Sequence, residues 1–433
     1  MKLFGSTNRI KIKPAKGLTG TARVPGDKSI SHRYALLGAI AEGPSEIHFF
    51  SPSADCRSTL ACLEGLGVRI EQKDQVVTVH GAGAHSLKPP DKSLDAGNSG
   101  STMRMLSGIL AAQPFRSVLA GDSSLSRRPM QRIIDPLSRM GARIHATDGG
   151  RPPLEIEGGP LHAISYELPV ASAQVKSAIL LAGLFAEGTT EVVEPVATRD
   201  HTEIALEEMG ADVGRHRRTI SVVGGARLEG KKLYAPGDFS SAAFLMAAAL
   251  ALPESNLVIQ NVGLNPTRTA LLDLLVSMGG RIKVLNVEMI NGELLGDLHV
   301  DPSELKGGEI EPGMMPNLID EVPVLAVLGT GMQQGLSFRG AAELRVKESD
   351  RLRAVAENLR RMGVEVEELP DGLRIPGRQK LKGAEVESYG DHRIAMAFAV
   401  AGLLAEGATT IRDGARVEIS FPGFFDVLKR HSE

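Results

Sequence analysis

The sequence ALLGAIAEGPSEI (35–47) decides the fold, because related sequences recur five more times along the chain. The copies are ILLAGLFAEGTTEV (179–192), AVAGLLAEGATTI (399–411) and three looser versions at 108–118, 244–259 and 324–338. Each copy predicts an Ala- and Leu-rich helix, a turn and a strand. The copies lie roughly 70 residues apart, a spacing that exceeds the common solenoid repeats. We therefore predict six units, each the size of a small subdomain.

A second pattern follows most of the copies: a helix that ends in Leu-Gly or Met-Gly precedes a short strand. These segments are GLGVRI (65–70), RMGARI (139–144), EMGADV (208–213), SMGGRI (277–282) and RMGVEV (361–366). Glycine is the usual residue just after the last turn of a helix. The alternation of helices and strands predicts an α/β fold class with three repeated helix-and-sheet units in each domain.

The length predicts two domains, because 433 residues exceed what one hydrophobic core supports. Units one to three give a domain at 23–235, and units four to six give a second domain at 1–22 plus 236–433. The strand RIKIKPA (9–15) is assigned to the second domain, since it belongs to neither set of helices. The chain is then expected to cross between the domains twice.

Composition narrows the class of protein. A net charge of −3 argues against a general polyanion binder, so we expect no nucleic-acid partner. Cys56 and Cys62 have no metal-binding spacing and are expected to be buried, reduced thiols. The stretch 1–14 lacks an apolar signal core, and the longest apolar run (242–252) is roughly half a membrane span. We expect a cytoplasmic protein with no membrane partner.

Polar and cationic side chains collect where the first helix of each unit begins. The predicted starts lie near Ser29, Ser101, Gln174, Ser240, Asp320 and Asp391. A helix N-terminus presents unpaired N–H groups and the positive end of the helix dipole, so it binds anions well. The repeats therefore predict a local cationic site for anionic ligands in a protein of slightly negative net charge.

In the first half of the chain, PGDKSISHR (25–33) is the sharpest such motif. Asp27 or Ser29 can cap the helix, while Lys28 is unfavourable at its positive end unless an anion binds there. Ser29 and Arg33 lie four residues apart and can hold one phosphate together. An ordinary capped helix with solvated charges is the alternative.

Four weaker motifs of the first half have the same character. They are AGNSGSTMR (96–104) with Asn98, Gly100, Ser101 and Arg104, SLSRRPM (124–130) with Arg127 and Arg128, SAQVKSAILL (172–181) with Ser172 and Gln174, and TRDHTE (198–203) with Arg199. A planar guanidinium suits a carboxylate or a phosphate. Capped turns and solvated arginines are the competing interpretations.

The second half combines cations with carboxylates. In ELRVKESDRLRAV (343–355), Lys347 and Arg351 are spaced to share one helix face, and Glu348 beside them can carry a proton. Asp320 precedes a nearly all-apolar helix, where a desolvated carboxylate suits a general base. YGDHRIAM (389–396) places Arg393 at a helix start. A charged surface helix and simple N-caps are the alternatives.

The motifs PGDKSISHR, GNSGSTMR, RRPM, SAQ, LRVKESDR and YGDHR, in this order, resemble those of the 5-enolpyruvylshikimate-3-phosphate synthases across essentially the whole chain. The resemblance implies a two-domain inside-out α/β barrel with its active site in the cleft between the domains. It also implies transfer of the enolpyruvyl group of phosphoenolpyruvate to the 5-hydroxyl of shikimate 3-phosphate, with release of phosphate. It implies no cofactor, no metal and a monomer.

The resemblance also assigns residues. For shikimate 3-phosphate it implies Lys28, Ser29, Arg33, Ser172, Ala173, Gln174, Arg199, Asp320 and Lys347. For phosphoenolpyruvate it implies Lys28, Asn98, Gly100, Ser101, Arg128, Gln174, Arg351 and Arg393. Of the catalytic set Asp320, Glu348, Lys347 and Lys28, Asp320 is the implied base, and Glu348 the implied acid toward the methylene carbon.

Two positions depart from the family pattern. Some members have Asn where Glu343 stands, and some have a Lys where this chain has Ile419, which removes one cation near phosphoenolpyruvate. Gly100 leaves room for the competitive inhibitor glyphosate, so we expect sensitivity.

Two other functions remain as alternatives. The UDP-N-acetylglucosamine enolpyruvyl transferases share the fold, but most carry a Cys on the loop that here is AGDSSLSRRPM (120–130). A non-catalytic repeat scaffold would spread its polar residues over an outer face, and it would not gather cations with Asp320 and Glu348.

Overall fold

A computed structural model describes residues 9–432 of the chain. The strands are β1 (Ile10–Ile12), β2 (Thr19–Arg23), β3 (Glu42–His48), β4 (Arg69–Lys73), β5 (Val76–Ala82), β6 (Leu94–Asp95), β7 (Arg116–Ala120), β8 (Arg143–Thr147), β9 (Arg151–Glu157), β10 (Ser165–Glu167), β11 (Thr189–Val193), β12 (Val213–His216), β13 (Thr219–Val223), β14 (Lys232–Tyr234), β15 (Asn256–Gly263), β16 (Arg281–Ile290), β17 (Glu293–Asp301), β18 (Gly308–Ile310), β19 (Leu336–Phe338), β20 (Glu367–Leu369), β21 (Gly372–Ile375), β22 (Glu385–Glu387) and β23 (Thr409–Arg412). The helices are α1 (Lys28–Ile40), α2 (Ala54–Gly65), α3 (Gly100–Leu110), α4 (Gln131–Arg139), α5 (Ala173–Gly183), α6 (His201–Glu208), α7 (Phe239–Ala251), α8 (Ala270–Ser277), α9 (Met315–Leu318), α10 (Val322–Gly331), α11 (Arg351–Arg361), α12 (His392–Leu404) and α13 (Phe424–His431). Short 3-10 helices cover Leu125–Arg127, Pro312–Met314, Ala342–Val346 and Gly414–Ile419.

The described chain divides into two compact units. The first unit consists of residues 26–236 and 289–293, and the second consists of 9–25, 237–288 and 294–432. Residues 1–8, which the sequence assigned to the second domain, lie outside the described residues. The segment 289–293 at the tip of the β16–β17 hairpin belongs to the first unit, although both of its strands lie mostly in the second.

Five of the six repeats have the element order strand, helix, strand, helix, strand, strand, and the sixth ends after its second helix, α13. In the second repeat, β6 runs parallel to β7, and β9 pairs antiparallel with both β7 and β8. The same order and pairing recur from β10 to β13 and from β18 to β21. Parallel neighbours need a crossover connection, and in these three repeats the first helix provides it. Over residues 9–432 the strands form six sheets.

Two strands complete sheets that their own sequence neighbours do not form. β2 precedes the first repeat, yet it pairs in parallel with β15 in the second unit. Conversely, β14 follows the third repeat but pairs in parallel with β3, a strand of the first repeat. The chain therefore passes from one unit to the other after β2 and after β14. The N-terminal strand β1 lies antiparallel to β23.

The first helix of each repeat is buried on nearly every side. In α1 every residue from Ile30 to Ile40 is buried, which is typical of a helix without a polar face. Gly108 allows α3 to approach α5, since a Cβ there would lie 2.2 Å from the Ala178 carbonyl oxygen. In the second unit α7, α10 and α12 pack on one another. The sheets therefore flank buried helices, and these helices begin within two residues of the predicted positions.

Two further expectations concern apolar segments and thiols. Cys56 and Cys62 are free and buried, as predicted, and desolvation by burial raises the pKa of each thiol to about 12. Within residues 9–432 no helix combines the length and the apolarity needed to span a membrane.

Candidate active site

In the first unit, three helix N-termini are capped by side chains that the motifs supply. Asp27, Ser99 and Ser172 accept hydrogen bonds from the backbone N–H groups three residues further on, at Ile30, Thr102 and Val175. Capping satisfies only part of the N–H groups at a helix start. The N-termini of α1, α3 and α5 are thus ordered and retain donors for a ligand.

Arg33 links α1 to α5 and α6. Its Nε donates to Thr202 Oγ1 at 2.6 Å and its Nη2 to Ser177 Oγ at 2.9 Å. Its Nη1 donates to the Ser29 carbonyl at 2.9 Å, while Arg199 Nη1 lies 3.4 Å from Ser29 Oγ. Desolvation by burial lowers the pKa of Arg33 to about 10, which still leaves it charged at neutral pH. The structure therefore brings Ser29, Arg33 and Arg199 together.

A second group joins α3 to α5. Gln174 Nε2 donates to Ser101 Oγ at 2.8 Å, and Arg104 Nη1 donates to Gln174 Oε1 at 2.6 Å. Ser172 and Ala173 lie at the cap and first residue of the same helix α5. Arg104 is thus a member of the group that the residue assignment from the family resemblance left out.

Arg128 and Asn98 form the third group. Arg128 Nη2 donates to Asn98 Oδ1 at 3.0 Å and to Ser124 Oγ at 3.2 Å. A Cβ on Gly100 would lie 3.5 Å from Arg128 Nη1, so this guanidinium borders the N-terminus of α3. Arg127 is exposed and therefore solvated. Arg128 is only 9% exposed and is held by its hydrogen bonds to Asn98 and Ser124.

Lys28 has a partner that the sequence did not indicate. Its Nζ lies 2.8 Å from Asp55 Oδ2, in the first turn of α2. A carboxylate beside Lys28 offsets the unfavourable position of a cation at the N-terminus of α1.

A buried chain of hydrogen bonds connects α1, α2 and α3 near these helix N-termini. His32 Nδ1 lies 2.7 Å from Thr59 Oγ1, which lies 2.7 Å from Thr102 Oγ1. Thr102 in turn donates to the Ser99 hydroxyl that caps α3. Desolvation by burial, with Lys28 and Arg33 close by, lowers the pKa of His32 well below its usual value. His32 is therefore neutral in the folded protein.

The neutral state of His32 predicts a loss of stability in mild acid. Above about pH 6.5 the imidazole is neutral in both states and contributes no pH dependence. Below that pH the unfolded chain binds a proton more readily than the folded chain does, so this group lowers the free energy of unfolding by at most about 1.4 kcal/mol per pH unit. Denaturant unfolding between pH 7 and pH 5 should show a shallower decline for His32→Asn than for the wild type. Parallel curves would contradict the prediction.

In the second unit, Arg351 lies among three carboxylates. Its Nε is 2.8 Å from Asp391 Oδ2, its Nη2 donates to Glu348 Oε2 at 2.6 Å, and its Nη1 is 3.6 Å from Asp320 Oδ1. Burial alone would lower the pKa of Arg351, but Asp391, Glu348 and Asp320 outweigh it and raise the pKa. The site thus holds a permanently charged guanidinium between the two carboxylates predicted to move protons.

Lys347 does not share a helix face with Arg351, so that prediction is wrong. Asp350 caps α11 by accepting a hydrogen bond from the Arg353 N–H, so the helix begins only at Arg351. Lys347 instead follows the 3-10 helix Ala342–Val346, and its Nζ lies 3.9 Å from Glu343 Oε1. Desolvation lowers the pKa of Lys347, and the charge of Arg351 adds to this effect.

Arg393 lies beside Asp320. Its Nη1 donates to the Asp320 backbone oxygen at 2.9 Å, and its Nη2 is 3.8 Å from Asp320 Oδ2. The second unit therefore gathers Asp320, Glu348, Arg351 and Arg393. Arg268, which precedes α8, contacts the neighbouring Glu321 and was not singled out from the sequence. Its segment NPTRTA (265–270) is a polar stretch before an apolar helix, which is the signal that could have identified it.

A metal centre has no counterpart among the described side chains. Within residues 9–432, no group of three or more His, Cys, Asp and Glu residues is arranged as a metal-binding set. The polar groups at the helix starts are instead mainly cations and hydrogen-bond donors, which are suited to phosphates and carboxylates. These features are typical of the class of proteins that bind small, highly anionic ligands.

Comparison with known proteins narrows that class. Residues 12–428 match the family model described as EPSP synthase (3-phosphoshikimate 1-carboxyvinyltransferase). A 3-phosphoshikimate 1-carboxyvinyltransferase of Solibacter usitatus (strain Ellin6076) is 56% identical over 98% of this chain and 99% of its own length. One from Koribacter versatilis (strain Ellin345) is 54% identical over 97% of this chain and 98% of its own length.

A solved structure agrees with these relatives. EPSP synthase from Acinetobacter baumannii is 45% identical and superposes with a TM-score of 0.88, covering 98% of each chain. The chain belongs to the EPSP synthase family. It is a transferase with the two-domain inside-out α/β fold of that family, so the predicted family, fold class and enzyme class are confirmed.

Proposed function

We propose that this protein transfers the enolpyruvyl group of phosphoenolpyruvate to the 5-hydroxyl of shikimate 3-phosphate and releases phosphate. The reaction belongs to the shikimate pathway, which leads to chorismate and the aromatic amino acids. Membership of the EPSP synthase family supports it. The observation that carries the proposal is the grouping of cations at capped helix starts in one unit and of Arg351 with Glu348 and Asp320 in the other.

The shikimate 3-phosphate contacts follow from the first group of cations. We assign them to Lys28, Ser29, Arg33, Ser172, Ala173, Gln174, Arg199, Asp320 and Lys347. The mutual contacts of Ser29, Arg33 and Arg199 support a phosphate position at the N-terminus of α1. A phosphate monoester carries about −1.5 to −2 charges at neutral pH, so two or more cations are needed to balance it.

The phosphoenolpyruvate contacts involve three further cations, Arg128, Arg351 and Arg393, together with Lys28. We assign them to Lys28, Asn98, Gly100, Ser101, Arg128, Gln174, Arg351 and Arg393. Arg128 and Asn98 are already linked next to Gly100, where the backbone N–H groups of α3 begin. Charge-assisted hydrogen bonds contribute about 1.5–3 kcal/mol each, which is sufficient for micromolar binding of a small anion that carries a phosphate and a carboxylate.

The chemistry needs an acid and a base on different atoms. Glu348 protonates C3 of phosphoenolpyruvate, C2 becomes electrophilic, and the 5-hydroxyl oxygen attacks C2 as Asp320 takes its proton. Glu348, deprotonated by the first step, then takes a proton back from C3 of the tetrahedral intermediate as the bond from C2 to phosphate breaks, which restores the double bond and releases phosphate. Lys28 and Lys347 lie among the cations that stabilise the developing negative charge.

The direct test is an assay of phosphate release. Phosphate should appear only when phosphoenolpyruvate and shikimate 3-phosphate are both present. UDP-N-acetylglucosamine in place of shikimate 3-phosphate should give none. The proposal would be overturned if phosphate were released with UDP-N-acetylglucosamine as acceptor but not with shikimate 3-phosphate. It would also be overturned if neither acceptor gave phosphate release.

Glyphosate should inhibit this reaction, and Gly100→Ala should weaken the inhibition. A Cβ at Gly100 would lie 2.8 Å from Arg104 Nη1, so the methyl group displaces side chains that border the phosphoenolpyruvate position. Overpacking of about 1–3 kcal/mol corresponds to a rise of about 5- to 150-fold in the inhibition constant. The Michaelis constant for phosphoenolpyruvate should rise less, since it is the shorter ligand.

Gly159→Ala is the matched control for this prediction, because a Cβ there meets no atom within 4 Å. It should leave inhibition unchanged. Wild-type turnover that continues at millimolar glyphosate would refute the predicted sensitivity. Equal inhibition of Gly100→Ala and wild type would refute the proposed position of Gly100.

We also propose that the protein acts in the cytoplasm, as a monomer, and without nucleic acid. The free, buried thiols of Cys56 and Cys62 suit a reducing compartment. The net charge of −3 does not favour a polyanion. Light scattering at assay concentrations should give a mass near 46.0 kDa. A mass of twice that value would contradict the monomer.

A further inference from the structure

A buried polar network lies beside Arg393 and Asp320, and the reaction scheme does not use it. Its centre is Glu321, the residue before α10, which is only 1% exposed. Glu321 Oε1 accepts a hydrogen bond from Ser240 Oγ at 2.5 Å and lies 3.4 Å from Arg268 Nη2. The same Arg268 nitrogen also donates to Ser240 Oγ at 2.6 Å. One carboxylate oxygen is thus held by a hydroxyl and a guanidinium.

The charges of this network balance locally. A buried carboxylate is strongly destabilising unless a cation accompanies it. Arg268 is 5% exposed and supplies that cation, so Glu321 and Arg268 together add no net charge beside the site. The positive charge of Arg393 therefore stays available for an anionic ligand.

Arg393 contacts this network through one nitrogen. Arg393 Nη1 donates to the Asp320 backbone oxygen at 2.9 Å and lies 3.8 Å from Glu321 Oε1. The Asp320 backbone oxygen therefore accepts a hydrogen bond from this nitrogen, and the Glu321 carboxylate attracts it as an ion pair. Because Glu321 is fixed by Ser240 and Arg268, its position constrains both the guanidinium of Arg393 and the backbone of Asp320.

The network also joins four helix ends of the second unit. Ser240 lies in the first turn of α7, Arg268 just before α8, Glu321 at the start of α10 and Arg393 in the first turn of α12. A side chain held from several elements is positioned more precisely than one held from its own helix alone. The arrangement parallels Arg33 in the first unit, which is held by Ser177 and Thr202.

We propose that Glu321, held by Ser240 and Arg268, is a positioning residue that orients Arg393 toward phosphoenolpyruvate. The inference rests on the proposed role of Arg393 in binding that substrate. Glu321 itself touches neither substrate in this scheme. Its effect must therefore pass through Arg393, and this separates it from a residue that only stabilises the fold.

The test is a double-mutant cycle of Glu321→Gln and Arg393→Gln, measured by steady-state kinetics and by shikimate 3-phosphate binding. Glu321→Gln should raise the Michaelis constant for phosphoenolpyruvate about tenfold, because the ion pair that helps to hold the guanidinium of Arg393 is lost. The dissociation constant of shikimate 3-phosphate should change less than about twofold, since most of its proposed contacts lie on other elements. In the Arg393→Gln background, Glu321→Gln should add little.

Asp297→Asn controls for the loss of a buried carboxylate. Asp297 is 8% exposed and accepts hydrogen bonds from the Asn261 N–H and the Asn286 side chain, and its strand β17 carries none of the proposed substrate contacts. It should lower the melting temperature and leave the Michaelis constants unchanged. If Glu321→Gln does not fold, Ser240→Ala removes the hydroxyl that holds Glu321, and it should raise the same Michaelis constant.

Two results would overturn the inference in distinguishable ways. If Arg393→Gln raises the Michaelis constant for phosphoenolpyruvate but Glu321→Gln does not, or if the effect of Glu321→Gln is undiminished in the Arg393→Gln background, the positioning role alone fails. If Arg393→Gln itself leaves that constant unchanged, the proposed role of Arg393 fails, and the inference fails with it.

Discussion

Replacing Glu348 with Gln should lower kcat by about 10²- to 10⁴-fold, which is the range that positioned general acids contribute. Glu348 Oε2 accepts a hydrogen bond from Arg351 Nη2 at 2.6 Å. A Gln side chain can keep that hydrogen bond through its carbonyl oxygen, so the geometry around Arg351 is retained. The amide has no proton to give C3 of phosphoenolpyruvate. The loss should therefore appear in kcat and hardly at all in the Michaelis constants.

A matched control lies on α11, the helix that begins at Arg351. Glu357 pairs with Arg353 on the outer part of α11, with Glu357 Oε1 2.7 Å from Arg353 Nε. Glu357→Gln should leave kcat unchanged. If Glu348→Gln turns over at the wild-type rate, or if its substrate affinity falls in proportion while kcat at saturation is intact, Glu348 is not the acid.

The repeats made the fold predictable because each one encodes local structure. Ala-rich helices, Gly-terminated turns and short strands depend on neighbours within a few residues, and the six helix starts follow from them. The exchange of β2 and β14 is different, because it depends on parallel pairing between distant segments. The assignment of the hairpin tip at 289–293 to the first unit could not be predicted either, because no residue pattern in β16 or β17 distinguishes a hairpin whose tip belongs to the other unit.

The candidate site could be predicted only in part from the sequence. The sequence identified the cations, because Lys and Arg at helix starts conflict with the helix dipole unless they have an anionic partner. It did not identify their protein partners. Asp55 lies 27 residues from Lys28, and Asp391 lies 40 residues from Arg351, so neither pairing has a local signature. The spacing of Lys347 and Arg351 was misleading because Asp350 caps the helix between them.

Asp320→Asn is the second substitution from which we expect a large effect, again about 10²- to 10⁴-fold in kcat. Asp320 is held in place by its surroundings, with Arg351 Nη1 at 3.6 Å and Arg393 Nη2 at 3.8 Å from its carboxylate oxygens. Asn is close in shape but is a far weaker base toward the 5-hydroxyl. The affinity for shikimate 3-phosphate should weaken only modestly, by about 1 kcal/mol, since one hydrogen bond is altered.

The control is a carboxylate of the same unit that lies beside a histidine and away from Arg351 and Arg393 in the sequence. Asp301 is partly exposed, and its Oδ1 lies 3.6 Å from His299 Nε2. Asp301→Asn should leave turnover unchanged. Single-turnover measurements at saturating substrates separate the chemical step from product release, so a slow step in Asp320→Asn can be assigned to proton transfer. A normal single-turnover rate with Asn at this position would show that another group accepts the hydroxyl proton.

The double variant of Asp320→Asn and Glu348→Gln should lose less kcat than the product of the two single losses, because Asp320 and Glu348 both contact Arg351.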